Sequence, residues 1–190
     1  MRTDYLPAEL FKKLCTVMQY ENALAIRTSL ETGLRIGDVL KITPSDLSDR
    51  CISFIAEKTG KHGTVRISSA LYRALLKNSG KQWIFEGREA SHHRTRQTVW
   101  TDLKKACRHF KVDMNIAPHS ARKTYAVELY KERGLKAVTQ ALQHDNPEVS
   151  LIYALSDKMS ENSTFQHLDV DELAEKIARR VAELLREQLL

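Results

Sequence analysis

Pro118-His119-Ser120-Ala121-Arg122 opens the stretch, residues 118–153, on which the reading of the whole chain turns. Residues three apart share one face of a helix, so His119 and Arg122 point the same way. His144 follows, and Tyr153 comes nine positions after it. An imidazole can move a proton, a guanidinium can grip a phosphate in a planar fork, and a phenol can act as a nucleophile. The set points to phosphoryl transfer onto a tyrosine hydroxyl. That chemistry needs a second Arg and a Lys from elsewhere in the chain.

Working outward, the pattern Leu10, Phe11, Leu14, Val17, Met18 predicts an amphipathic helix from Pro7 to about Met18. A second helix is expected over Asn22 to Glu31, stopping at Gly33, because glycine accepts the left-handed conformation of a C-terminal cap. Arg35 follows and opens a short helix, Ile36 to Lys41, which Thr43-Pro44 ends. Cys51–Ile55 and Thr64–Ile67 have β texture and are joined by Lys58-Thr59-Gly60-Lys61-His62-Gly63, which predicts a hairpin with a long tip. Ser68 or Ser69 caps the next helix, and Trp83-Ile84-Phe85 is expected as a third short strand. Glu86 to Arg94 reads as a polar, basic loop, followed by a helix from Gln97 to Phe110. Beyond Pro118, helices are expected at 119–133 (closed by Gly134), 135–142 and 147–154. Ser156 to His167 reads as a linker and Asp171 to Leu189 as an amphipathic helix. The fold class is mainly α with a small antiparallel β-sheet (α+β).

The 190 residues are 42% hydrophobic and 28% charged, which excludes a disordered chain or a membrane-embedded one. No run of about 18 apolar residues occurs, and Met1-Arg2-Thr3-Asp4-Tyr5 has no signal-peptide character, so a cytoplasmic location is expected. Cys15, Cys51 and Cys107 are odd in number and far apart, which argues for reduced thiols rather than a disulfide framework or a zinc module. The net charge of +6 and the pI of about 9.2 suit a polyanionic partner. Acidic residues gather in the C-terminal tail, while residues 58–136 are rich in Lys, Arg and His.

Arg35 lies in Glu31-Thr32-Gly33-Leu34-Arg35-Ile36-Gly37-Asp38-Val39-Leu40. Joined in order to a hairpin Lys, to the His-x-x-Arg box at 119–122 and to Leu142-Gln143-His144 followed by Tyr153, it resembles the catalytic domain of the tyrosine recombinases, the phage integrase family. The resemblance runs from about Leu6 to about Leu155 and implies a tyrosine recombinase catalytic-domain fold over residues 1–155. Residues 156–190 are then a linker and a helix for docking on a neighbouring subunit, for pairing with its own copy, or for folding back.

The resemblance implies Arg35 and Arg122 as phosphate clamps, Lys58 as the hairpin general acid with Lys61 as competitor, His119 and His144 as the two histidines, and Tyr153 as nucleophile. It implies cleavage and rejoining of double-stranded DNA through a 3′-phosphotyrosyl intermediate, without metal or nucleotide cofactor, in a prokaryotic or phage-encoded setting. Two alternatives share the residues or the partner: DNA relaxation of the type IB topoisomerase kind, and a catalytically idle regulator that binds DNA.

Basic residues at Lys61, His62, His92, His93, Arg94, Arg96 and Lys123 are expected to contact DNA phosphates. The 92–96 cluster lacks further ligands at metal-site spacing. Two departures stand out: Gln143 occupies a position where the family usually has Gly, and almost nothing precedes the first catalytic-domain helix. An excised domain and a short member that borrows a partner's DNA-clamping domain both fit that start. Self-association on DNA is expected in either case.

Overall fold

The computed structural model describes residues 3–89 and 91–142. The predicted helices at 147–154 and 171–189, and with them His144 and Tyr153, lie outside the described residues. Among the described residues six α-helices run as α1 Ala8–Cys15, α2 Tyr20–Thr32, α3 Ile36–Leu40, α4 Ser69–Asn78, α5 Arg96–His109 and α6 Pro118–Leu142. A three-stranded antiparallel sheet, β1 Leu47–Ser48, β2 Cys51–Ile55 and β3 His62–Arg66, sits between α3 and α4 in the chain. This is the expected class, mainly α with a small antiparallel sheet.

The centre is α2, which packs on every other helix of the described chain. A helix covered on several sides has no single apolar stripe, and α2 accordingly buries polar residues together with Leu24, Ala25 and Ile26. Its buried hydroxyls bond inside the helix and its cap. Thr28 Oγ1 donates to the Leu24 carbonyl (2.8 Å), Thr32 Oγ1 to that of Thr28 (2.6 Å), and Ser29 Oγ to that of Leu34 (2.7 Å). No donor is stranded in the core by them. At the other end, the Asp102 carboxylate of α5 accepts from the Gln19 backbone (2.9 Å) and from Asn22 Nδ2 (2.7 Å), which ties α5 to the start of α2.

Phe11, Leu14, Leu24, Ile26, Leu40, Ile52, Leu71, Leu75, Ile84, Phe85, Val99 and Leu103 form one apolar core. In α1 the face is narrower than the sequence pattern suggests, since Phe11 and Leu14 are buried while Leu10 and Val17 are 45% and 44% exposed. The helix stops at Cys15, so the expected stripe loses its phase beyond that point. Cap residues fall where the sequence placed them: Ser68 accepts from the Leu71 amide (3.2 Å), and Gly33 ends α2 at φ 70°. Gly134 (φ 74°, ψ −178°) breaks α6 into two helical stretches. The three cysteines are free, and burial pushes the Cys15 thiol up to about 11.

The third strand differs from the expectation. It is Leu47–Ser48, not Trp83–Phe85, and it pairs with β2 through Leu47↔Ile52 and Ser48↔Cys51. Asp49 and Arg50, both at positive φ (48° and 62°), make the two-residue turn with the backbone of a type I′ hairpin. Ile84 and Phe85 are both fully buried, whereas a strand would send successive side chains to opposite faces. Their backbone is pinned from three directions: Ile84 N–H on the Ile42 carbonyl (3.0 Å), Asn78 Nδ2 on the Ile84 carbonyl (2.8 Å) and Arg94 N–H on the Phe85 carbonyl (2.7 Å). Phe85→Ala is therefore expected to lower unfolding free energy by about 3–5 kcal/mol. In a denaturant titration the midpoint should fall with the slope unchanged.

Candidate nucleic-acid interface and active site

Arg35 is the residue before α3, half-buried and extended at φ −65°, ψ 142°. It follows Gly33 and Leu34, so the left-handed cap of α2 sets the direction in which Arg35 leaves the core. A Cβ on Gly33 would stand 2.4 and 2.5 Å from ring atoms of Tyr125 and 3.1 Å from Leu142 Cδ2. Backbone conformation and close approach both require glycine there.

Arg122 comes from the first turns of α6 and is only 3% exposed. Its Nη1 donates to the carbonyl of Gly33, and its Nη2 donates to the carbonyl of Leu142 (2.9 Å). One side chain thus holds the turn that carries Arg35 against the segment two residues before His144. Tyr125 lies three residues on, its ring over Gly33 and beside the small cluster of Ala126, Val138 and Leu142. Burial raises the pKa of its phenol, consistent with packing rather than nucleophilic duty.

His119 keeps an exposed edge. Partial withdrawal from water, and then the charges of Arg122, Lys123 and Arg35, hold its imidazole below the usual value of 6.5. The fold therefore brings Arg35, His119 and Arg122 into one electrostatic neighbourhood from two distant parts of the sequence. That setting favours the neutral imidazole, the form that can accept a proton.

Lys58 and Lys61 stand exposed on the connection between β2 and β3. That connection is closed by Ala56 N–H on the Lys61 carbonyl (2.9 Å) and Gly60 N–H on the Ala56 carbonyl (2.8 Å), with Gly60 at φ 66°. The structure begins β3 at His62, so His62 pairs with Ile55 at the end of the ladder instead of sitting in the tip. The hairpin is anchored by residues that the sequence reading passed over. Asp38, 5% exposed on α3, accepts from the Glu57 amide at 3.0 Å, and the Glu57 carboxylate meets Lys41 Nζ at 3.1 Å. The available signal was an Asp three residues after Arg35, on the same face of a short helix.

The basic cluster at 92–96 divides. His92 Nδ1 lies 2.9 Å from Ser91 Oγ and 3.6 Å from Glu89. His93 donates from Nδ1 to the Arg94 carbonyl (2.8 Å) and sets its ring edge-on to Trp83, centroids 5.3 Å apart. Arg94 turns inward, Nη1 on Asn22 Oδ1 (3.2 Å) and Nη2 3.7 Å from Glu21, so its charge braces α2 instead of facing a surface partner. Lys123 is likewise buried, and its ammonium donates to the carbonyl of Thr3. Arg96 is exposed at the start of α5. Among the described residues no group of three or more His, Cys, Asp or Glu converges on a metal-sized site, and no helix is long and apolar enough to cross a membrane.

Comparison with known proteins bears on the same residues. The family model described as the phage integrase family matches residues 5–159. The integrase of Escherichia phage P2 is 26% identical over 153 residues, covering 80% of this chain and 43% of its own length. The chain spans less than half the length of the curated relatives it matches. In fold it is similar to a lambda integrase dimer bound to a COC′ core site (TM-score 0.70, 18% identity, 90% of this chain and 52% of that one). It is also similar to the catalytic domain of bacteriophage HP1 integrase (TM-score 0.64, 18% identity, 87% of this chain and 98% of that one).

The environment of His119 can be tested by NMR titration. Its midpoint is expected below 6.5 and should rise in Arg35→Gln, which removes one of the positive charges that oppose protonation. Just below pH 6.5 the unfolded chain binds the proton and the folded one does not, so this contribution to stability is intact above 6.5 and is lost as pH falls through the folded midpoint.

Proposed function

The chain belongs to the phage integrase family, and from that premise we propose that it is a tyrosine recombinase catalytic domain that cleaves and rejoins duplex DNA through a 3′-phosphotyrosyl intermediate. The observation that carries the reading is the convergence of Arg35, His119 and Arg122 around one neighbourhood, with the Leu142 carbonyl, just upstream of His144 and Tyr153, bonded to Arg122.

In the proposed reaction Tyr153 Oη attacks the phosphorus of a phosphodiester and its proton passes to neutral His119. The bond to the 5′-oxygen breaks, and that oxygen takes a proton from Lys58. The reverse attack by the 5′-hydroxyl restores the diester and frees the tyrosine. Extra negative charge on the non-bridging oxygens falls to the guanidiniums of Arg35 and Arg122, which are charged at every working pH, and to a hydrogen bond from His144. Permanent cations make a metal ion unnecessary for that stabilisation, so the reading includes catalysis without metal or nucleotide. Lys61, His62, His92, His93 and Arg96 supply backbone contacts to duplex DNA, with self-association on the DNA and a DNA-clamping domain from a partner or from further chain completing the grip. The balance of the family match favours recombination over simple relaxation or an idle regulator.

Tyr153→Phe is expected to abolish the denaturation-resistant protein–DNA adduct on a nicked duplex while leaving duplex binding within about twofold, since it removes one hydroxyl and no charge. Adduct at parental yield in that variant, or a strict need for magnesium in the parent, overturns the proposal.

The proton donor is testable separately. Lys58→Ala should slow cleavage by about 10²–10⁴-fold on an ordinary strand but hardly at all on a strand whose leaving oxygen is replaced by sulfur, because a thiolate leaves without protonation. Lys61→Ala giving that pattern instead would transfer the role to Lys61.

A further inference from the structure

Glu57 is an odd residue for its place. It precedes Lys58 on a hairpin read as DNA-facing, where a carboxylate would repel phosphate, yet it stands against Lys41 and near Arg96. One oxygen, Oε1, meets Lys41 Nζ at 3.1 Å. The other, Oε2, lies 3.2 Å from the point where a Cβ of Gly37 would be, and Arg96 reaches the same point with Cδ at 3.5 Å and Nη1 at 3.7 Å. Gly37 has an ordinary φ, so what it contributes is space for the carboxylate and the guanidinium to approach each other. His93 adds its charge when protonated, and Lys41, Arg96 and His93 all pull the Glu57 pKa down. A carboxylate bonded to an ammonium, with a guanidinium close to the same glycine, marks a place where an anionic phosphate oxygen would find the same partners.

We propose that Lys41 and Arg96 form a site for a DNA backbone phosphodiester, and that the chain's own Glu57 occupies it until DNA arrives. The inference rests on the reading of the protein as one that binds duplex DNA. With the site filled by Glu57, the hairpin is latched to α3 through this carboxylate and through the Glu57 amide on Asp38 (3.0 Å). When a phosphate takes the cations, of these two ties only the amide bond remains, and Lys58 gains freedom to follow the strand. Exposed ion pairs are weak, so the latch is an exchange and not a lock.

The test uses the full chain and a short fluorescein-labelled duplex, with Asp49→Asn, in an exposed turn at the other end of the sheet, as the charge-matched control. Glu57→Gln should tighten duplex binding about three- to fivefold, Asp49→Asn much less, and the gain from Glu57→Gln should shrink when Arg96→Ala is also present. In the DNA-free protein, amide hydrogen exchange at residues 56–61 should be faster in Glu57→Gln than in the parent. Equal gains from Glu57→Gln and Asp49→Asn, or a gain undiminished by Arg96→Ala, would sink the phosphate site. Unchanged exchange at 56–61 would sink the latch. Absence of duplex binding by the parent and every variant would instead remove the DNA reading itself, and this proposal with it.

Discussion

The structure depends most on the two hydrogen bonds that Arg122 makes to backbone carbonyls, one at Gly33 and one at Leu142. Burying a guanidinium is expensive unless its donors are met, and here part of the need is met by the carbonyl at the C-terminal cap of α2, where helix carbonyls lack intrahelical partners and carry the negative end of the helix dipole. The two bonds also turn a permanent cation into a bracket between two stretches of chain that are about a hundred residues apart in sequence.

Several features follow from that bracket. Gly33 has to be glycine for its backbone and for the Tyr125 ring, and Tyr125 in turn rests beside Leu142, the same residue whose carbonyl Arg122 holds. Anything that shifts the far part of α6 is therefore felt at the turn carrying Arg35. His119 shares the neighbourhood and shows it, since Arg122, Lys123 and Arg35 all act to keep its imidazole neutral. Lys123 contributes through this field although its ammonium is committed to Thr3.

Sequence reading succeeded where a position has one physical solution. Gly33 and Gly134 adopt positive φ, which few other residues accept, so both helix breaks were legible. The order Arg35, Lys58, His119, Arg122 was legible as a constellation, and the fold brings its first, third and fourth members together. Strand β1 was not, because its turn uses Asp49-Arg50 instead of an Asn-Gly or Gly-Gly signal and the strand has two residues. Trp83-Ile84-Phe85 had strand composition, but tertiary bonds from Ile42, Asn78 and Arg94 decided its path. Arg94 and Lys123 were assigned to a surface partner because cations usually face water. Whether one turns inward depends on Asn22, Glu21 or Thr3 lying within reach, which composition does not encode. His144 and Tyr153 rest on the sequence alone.

The way the candidate groups are mounted separates them by task. Arg122 is buried and bonded twice, and Arg35 projects from a turn whose glycine admits no substitute, so the charges that would stabilise a developing anion are held before it forms, as preorganised stabilisation requires. Lys58 is mounted in the opposite way. Its turn keeps a local shape through the Ala56–Lys61 and Ala56–Gly60 bonds, while the polar ties from the turn to α3 run through Asp38, Glu57 and Lys41, of which only Asp38 is buried. A proton donor has to reach an oxygen that moves as its bond to phosphorus breaks, and a rigid mount would serve one position of that oxygen only. The buried bonds of Arg122 and the mostly exposed, exchangeable ones of the hairpin are mounts that suit the two tasks proposed for them.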